Sequence, residues 1–229
     1  LTLAQLQALD AGYGYSADDG KTFPLRGLGK GLIPSLEDAL ATTGDTALLF
    51  NLRFDDAATA SRFVAALKAS ERDPVARRDA FSGPEAALAP IRAAWPAVLA
   101  YSDAAVAACT RAYLWQGWLG LTPAACRNGM IALPLNRQWA FAGWPDRLIA
   151  RMEAVGAKVM LIGPMDNAKP RGLDLPEQVG QIPASFTGYA WVDDMWSVGP
   201  ALRPAFNKRN PREQAELAKA LDARRAARD

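Results

Sequence analysis

The sequence predicts an α/β fold made of βαβ units around a parallel sheet, and three observations carry that expectation. Short apolar runs of strand length recur at Ala47–Phe54, Val98–Tyr101, Met130–Leu133, Lys158–Ile162 and Tyr189–Val192, with a weaker one at Ala76–Phe81. Most of the intervals between them carry apolar residues three and four apart, which is helical spacing. Half of the 229 residues are hydrophobic and 22% are charged, enough apolar material for the core of one large domain spanning residues 1–229.

Taken in order, Thr2 is a candidate N-cap for a short helix through Leu9, with Leu3, Leu6 and Leu9 on one face. A long loop over residues 10–34 follows, rich in glycine and containing Pro24 and Pro34. Ser35 then caps a helix carrying Leu36, Ala39 and Leu40. Helical patterns at Ala57–Ser70, Pro84–Ala94, Ala104–Tyr113 and Pro145–Val155 separate the strand runs, and Gly156 closes the last of them as a C-terminal cap. Asn210 and Pro211 form an N-cap and first-turn pair that opens a terminal helix over residues 211–228. The count is five or six strands. A doubly wound sheet would satisfy it, but the strand, G-x-G-x-x-G turn and helix that open a dinucleotide fold are missing. The glycines of Arg26-Gly27-Leu28-Gly29-Lys30-Gly31 follow no strand and close no Walker loop, so a loop without phosphate chemistry is the expectation there.

Composition excludes several chemistries. The sequence has no histidine, the side chain most used for proton transfer near neutral pH and the commonest transition-metal ligand. Cys109 and Cys126 cannot make a zinc site by themselves; free buried thiols are the plainer expectation and a disulfide the alternative. Residues 201–229 carry eight Lys/Arg against four Asp/Glu, which leaves the rest of the chain near neutral. A basic excess confined to one terminal helix reads as a solvated face, not as a nucleic-acid or membrane surface. No apolar run approaches the roughly 20 residues that span a bilayer, and the first residues do not have the pattern of a secretion leader. Location stays open between bacterial cytoplasm and periplasm.

Six stretches, read together, resemble the glycerophosphodiester phosphodiesterase family, in particular a bacterial branch of it. Leu1-Thr2-Leu3-Ala4-Gln5-Leu6 through Tyr13 is similar to the segment after the family's second catalytic histidine, and Ile33-Pro34-Ser35-Leu36-Glu37-Asp38-Ala39-Leu40 to its "IPTLEEvL" helix start. Phe50-Asn51-Leu52-Arg53 resembles the "NIEIK" strand, written "INIK" in this branch. Tyr113 through Cys126, with Gly117-Trp118-Leu119-Gly120, resembles a "Y…GWxG.vP..C" stretch, and Gly143-Trp144-Pro145-Asp146-Arg147 with Arg151-Met152 resembles "WGWPnRFlaRM". Gly188-Tyr189-Ala190-Trp191-Val192-Asp193 is similar to the closing "GyiWTD" strand.

The resemblance implies a (β/α)₈ barrel of the phospholipase-C-like phosphodiesterase type, with its site at the carboxyl ends of the strands. It implies hydrolysis of glycerophosphodiesters to sn-glycerol 3-phosphate and an alcohol, part of lipid and glycerol metabolism. In the family an "HRG" and an "HD" histidine act as acid and base, and an "ExD" pair with the Glu of "NIEIK" holds a divalent cation, calcium or magnesium. Both histidine motifs and the "ExD" pair precede the segment matched by Leu1, so the expectation is an incomplete barrel of about six strands, lacking the first ones and inactive alone. The alternative is a non-catalytic module on the same scaffold, binding a phosphorylated alcohol or a protein partner. Open strand edges in such a piece would favour an edge-mediated dimer.

No catalytic residue is therefore expected in this chain. Asn51 stands where the family has a metal-binding Glu and offers only an uncharged oxygen. Arg53 replaces the family Lys and could pair with phosphate. Asp55 and Asp56 read better as helix caps than as metal-shell acids. Trp144 and Trp191 are candidates for walls around the alcohol or glycerol portion, and Asp193 matches the family's "TD" aspartate. Alternation in a strand puts Asn51 with Arg53, and Trp191 with Asp193, on shared faces.

Overall fold

The computed structural model describes residues 1–16, 18–165 and 170–226. Its helices are α1 (Leu3–Gln7), α2 (Leu36–Thr43), α3 (Ala57–Ala69), α4 (Glu85–Ala94), α5 (Asp103–Gln116), α6 (Asp146–Ala154), α7 (Met195–Leu202) and α8 (Pro211–Ala226). The strands are β1 (Leu49–Asn51), β2 (Ala80–Ser82), β3 (Leu99–Tyr101), β4 (Met130–Pro134), β5 (Lys158–Ile162) and β6 (Tyr189–Ala190). The pairings between these strands are all parallel and follow chain order, β1-β2-β3 in one sheet and β4-β5-β6 in another. Among the described residues no ladder joins β3 to β4. Side chains bridge that gap instead: Tyr101, Val106 and Met130 bury together, with Leu99, Ala132 and Met160 against them.

Local chemistry sets the helix starts. The Asp56 carboxylate accepts the Thr59 N–H at 2.8 Å, so Asp56 caps α3 as its position suggests. Ser35 and Asp38 satisfy each other's backbone N–H groups at 3.1 and 3.0 Å in a reciprocal box at the start of α2, and Thr2 with Gln5 does the same for α1. Ser102 accepts the Ala105 N–H at the start of α5. Gly156, at φ 71°, turns the chain out of α6 where a side chain would be strained.

Strand alternation sorts the side chains into two environments. On the outward face of β1–β3, Phe50, Phe81 and Ala100 pack on α3 and α4 with Ala60, Leu67, Leu88 and Ile91. Phe50 and Phe81 stack at 5.1 Å, Phe63 meets Phe50 edge-on at 5.5 Å, and full burial of a Phe81-sized side chain stabilises by about 1.5–3 kcal/mol. The larger core lies around β4 and β5, where Ile131, Leu133, Val159 and Leu161 meet Tyr113, Leu148 and Met152. Tyr113 is the hub there: its hydroxyl donates to the Ala142 carbonyl at 2.8 Å, and Arg151 donates to that hydroxyl at 3.1 Å and to the Gly117 carbonyl at 3.0 Å.

Several expectations are corrected. Cys109 and Cys126 form a disulfide and are not free thiols. Packing of the 124–126 turn on α5 brings their Cα atoms to 4.6 Å, within bridging reach. The weak run at 76–81 becomes a strand only at Ala80, because its first half is a turn with Arg78 at φ 59° and a buried ion pair beside it. In that pair Arg72 meets Asp79 through two bonds of 2.7 and 2.8 Å and also donates to the Gly44 and Thr46 carbonyls, while Asp79 accepts the Leu48 N–H. The first helix ends at Gln7, and α7 forms through Gly199 and Pro200, which hid it from periodicity. Residues 227 and 228 of the expected terminal helix lie outside the described residues. The basic side chains of α8 are solvated or paired: Arg212 with Glu216, Arg224 with Asp194, and Arg225 with Glu177 and Asp222.

Candidate functional site

Residues from all six strands line one cavity of about 550 Å³. Its architecture follows from register. Asn51 pairs with Ser82 and Ser82 with Tyr101, so these three residues form a row across the carboxyl ends of β1, β2 and β3. Neighbouring strands are about 4.8 Å apart, so adjacent members of the row can touch a common small group. One step down the strands, about 7 Å away, Leu49, Ala80 and Leu99 form an apolar row in the same register. Met130, Met160, Tyr189 and Trp191 close the cavity from the second sheet. Asn51, Ser82 and Tyr101 therefore stand at the carboxyl ends of β1–β3, the apolar row lies one step toward the amino ends, and Arg78 lies beyond it before β2.

Six polar side chains face this cavity: Asn51, Arg78, Ser82, Tyr101, Asp103 and Tyr189. None of them makes a side-chain hydrogen bond or ion pair with another described residue, which leaves their donors and acceptors available to a ligand. Tyr101 is 6% exposed. Burial pushes its phenol upward, with the charge of Asp103 and the neighbouring Tyr189 adding to the effect, so it remains a neutral hydroxyl at physiological pH. Asp103 sits in the first turn of α5, where the helix dipole favours a carboxylate. Behind the row, Glu85 accepts from the Ser102 hydroxyl at 2.7 Å and from Arg92 at 2.6 Å, and Arg92 also donates to the Ala100 carbonyl. Arg92 first and then Ser102 hold the Glu85 carboxyl below its usual range. This network fixes the end of β3 and hence Tyr101.

The expected site residues divide. Asn51 and Trp191 line the cavity together. Arg53 lies two residues beyond the end of β1, exposed, and is not among the lining residues. The Asp193 carboxylate accepts the Gly172 N–H at 2.7 Å and its own N–H donates to the Leu173 carbonyl, so it anchors the 171–173 segment beside β6. Trp144 packs on the second core, 5.6 Å from the Phe186 ring, with its indole N–H donating to Gln138. Sequence reading passed over Ser82, Tyr101, Asp103, Tyr189 and Arg78. Strand alternation carried a signal for two of them, since Ser82 and Tyr101 end their strands as Asn51 does.

The cavity offers neutral hydrogen-bonding groups, one carboxylate and one guanidinium. Among the described residues no three Cys, Asp or Glu side chains gather as a ligand set. Toward the six or more oxygens that a hard cation takes, the Asn51 amide offers one and the Asp103 carboxylate up to two. Comparison of the chain with protein-family models, with curated proteins and with solved structures finds no match.

Proposed function

We propose that the chain forms the substrate-binding part of a glycerophosphodiester phosphodiesterase-type (β/α)₈ barrel, and that it binds a phosphorylated glycerol or glycerophosphodiester without hydrolysing it. One observation carries the reading: the Asn51–Ser82–Tyr101 row, with Trp191 opposite, stands at the carboxyl ends of parallel strands around a single cavity. Ligands of α/β barrels bind at that end. Asn51, Ser82 and Tyr101 supply donors for phosphoryl oxygens, and Trp191 offers an apolar wall for the glycerol or alcohol portion. The sequence contains neither histidine nor a free thiol, so the acid and base that the family uses must come from residues outside this chain. In the hydrolase reading, a protein also carrying the HRG, ExD and HD motifs completes the reaction with a calcium or magnesium ion. In the second reading the chain is a non-catalytic module, favoured by the uncharged Asn51 in the place of a carboxylate.

Calorimetric titration with sn-glycerol 3-phosphate and glycerophosphocholine tests the binding. Tyr101→Phe should weaken it by about 0.5–1.5 kcal/mol, the loss of one hydrogen bond. Absence of any binding, or equal binding by a Tyr101→Phe/Asn51→Ala variant that keeps its fold, would remove the site. Coding sequence for HRG, ExD and HD motifs in frame before Leu1 selects the hydrolase reading, and a start codon adjoining Leu1 selects the module. Cation-dependent turnover by the chain alone, surviving chelator-treated controls, would contradict both.

A further inference from the structure

We propose that the surface at the carboxyl end of α5, together with the turn that follows it and the segment after β4, docks on an anionic lipid bilayer. Trp115, Trp118, Leu119, Leu121 and Trp139 are 83%, 63%, 76%, 55% and 79% exposed. Trp115 lies three and four residues before Trp118 and Leu119, a spacing that sets side chains on one side of a continuing helical turn. The Trp118 indole N–H donates to the Ala140 carbonyl at 3.2 Å, which brings the Trp139 segment alongside. Single exposed apolar residues are ordinary, but three tryptophans and two leucines gathered on one surface mark an interaction site.

Charge names the partner. Between Asp103 and Asp146 the sequence contains no acidic residue, while Arg111, Arg127 and Arg137 are exposed and make no ion pair among the described residues. Guanidinium groups without internal partners complement anionic headgroups, at about 1 kcal/mol for each cation near such a surface. Tryptophan suits the headgroup boundary because its ring is amphipathic. Shape points the same way. Side chains that stand nearly free of the protein project from it, and a fluid lipid layer closes around a projection without a preformed groove. The platform is already ordered by the Cys109–Cys126 bridge and by Arg151 holding the Gly117 carbonyl, so docking costs little further ordering. No helix among the described residues is long and apolar enough to cross a membrane, so the association is with the surface.

The test is co-sedimentation of the oxidised chain with vesicles of phosphatidylcholine mixed with phosphatidylglycerol, against phosphatidylcholine alone. Binding should be stronger to the anionic vesicles, should weaken as salt is raised, and should shift tryptophan emission to the blue. Trp115→Ser/Trp139→Ser and Arg111→Glu/Arg127→Glu should each reduce partitioning about tenfold or more. All four positions are exposed, and unchanged circular dichroism and thermal unfolding would confirm that folding is intact. Should the tryptophan variant not fold, the arginine variant alone still decides. Equal binding to both vesicle types, or none to either, overturns the proposal. Concentration-dependent self-association abolished by Trp115→Ser/Trp139→Ser, without vesicle binding, would make the patch an interface between copies instead.

Discussion

Residues 1–46 and residues 47–226 are ordered by different physics. In the described part of the first region Gly12 and Gly29 alone are buried, and α1 and α2 bury no residue at all. Leu1, Leu3, Leu28 and Leu32 are exposed. What shapes the region's loop is carboxylates: Asp10 accepts the N–H groups of Gly12, Gly27 and Gly29 at 3.0, 2.5 and 2.9 Å, and Asp18 accepts the Thr22 N–H and hydroxyl at 2.8 Å each. Arg26 adds cation–π contacts to Tyr13 and Phe23 at 4.4 and 3.9 Å. In the second region the chain is held by two cores, a buried ion pair and a disulfide. The difference separates a segment shaped by exposed hydrogen bonds, which local opening can disrupt, from a body whose loss is global unfolding.

The largest test of this contrast is Arg72→Ala. It leaves the Asp79 carboxylate buried without its cation and frees the Gly44 and Thr46 carbonyls, so it should cost about 3–5 kcal/mol in urea unfolding. A cost below about 1 kcal/mol would show that water reaches the pair and that the body is looser than described. Next, replacing Cys109 and Cys126 by Ala should cost about 3 kcal/mol, the loop-closure effect of a bridge spanning 17 residues. The same loss should appear on adding reductant to the unaltered chain.

For the first region the expected effects are local. Asp10→Asn should speed amide exchange at Gly12, Gly27 and Gly29 without moving the midpoint of global unfolding. Acid should lower the protection of the same amides relative to their intrinsic exchange rates. The Gly27 amide foremost, then Gly12, Gly29 and the charge of Lys30, hold the Asp10 carboxyl below its ordinary value against partial desolvation. A depressed value means that the opened loop takes up the proton more readily. The contribution is therefore complete above the ordinary carboxylate pKa of about 3.9 and is lost as pH falls through the lowered value. Proton NMR between neutral pH and about pH 3 would follow it. The smallest effects belong to Leu3→Ala and Leu28→Ala, each within about 0.5 kcal/mol because both side chains already meet solvent. A large loss at either would mean that the segment is packed in solution.

How much was legible in the sequence follows the same division. β5 falls where the run Lys158–Ile162 puts it, and α3, α4 and α6 lie within a residue of their periodic patterns, because burial enforces periodicity. The run at 76–81 misled because Asp79 is buried by Arg72, seven residues earlier, a pairing that no local pattern announces. The disulfide stood only as the alternative, because two cysteines 17 positions apart do not say whether they meet until α5 packs on the 124–126 turn. Of the candidate site, Asn51 and Trp191 were visible through resemblance. Tyr101 and Ser82 needed the register of β1, β2 and β3, which is a property of the sheet and not of any one segment. Arg53 and Asp193 share strand faces with Asn51 and Trp191 in an ideal alternation, but the strands stop before reaching them.

Among the described residues, pairing only between strands adjacent in the chain has a kinetic consequence. Each three-stranded sheet closes across single helical crossovers, so its parallel pairings are non-local and form more slowly than the helices between them, yet each lies within one half of the chain. The β1–β3 half can collapse on α3 and α4 as soon as it leaves the ribosome, and the β4–β6 half follows as a second unit. The cavity, lined by residues of both sheets, exists only once the two halves have met.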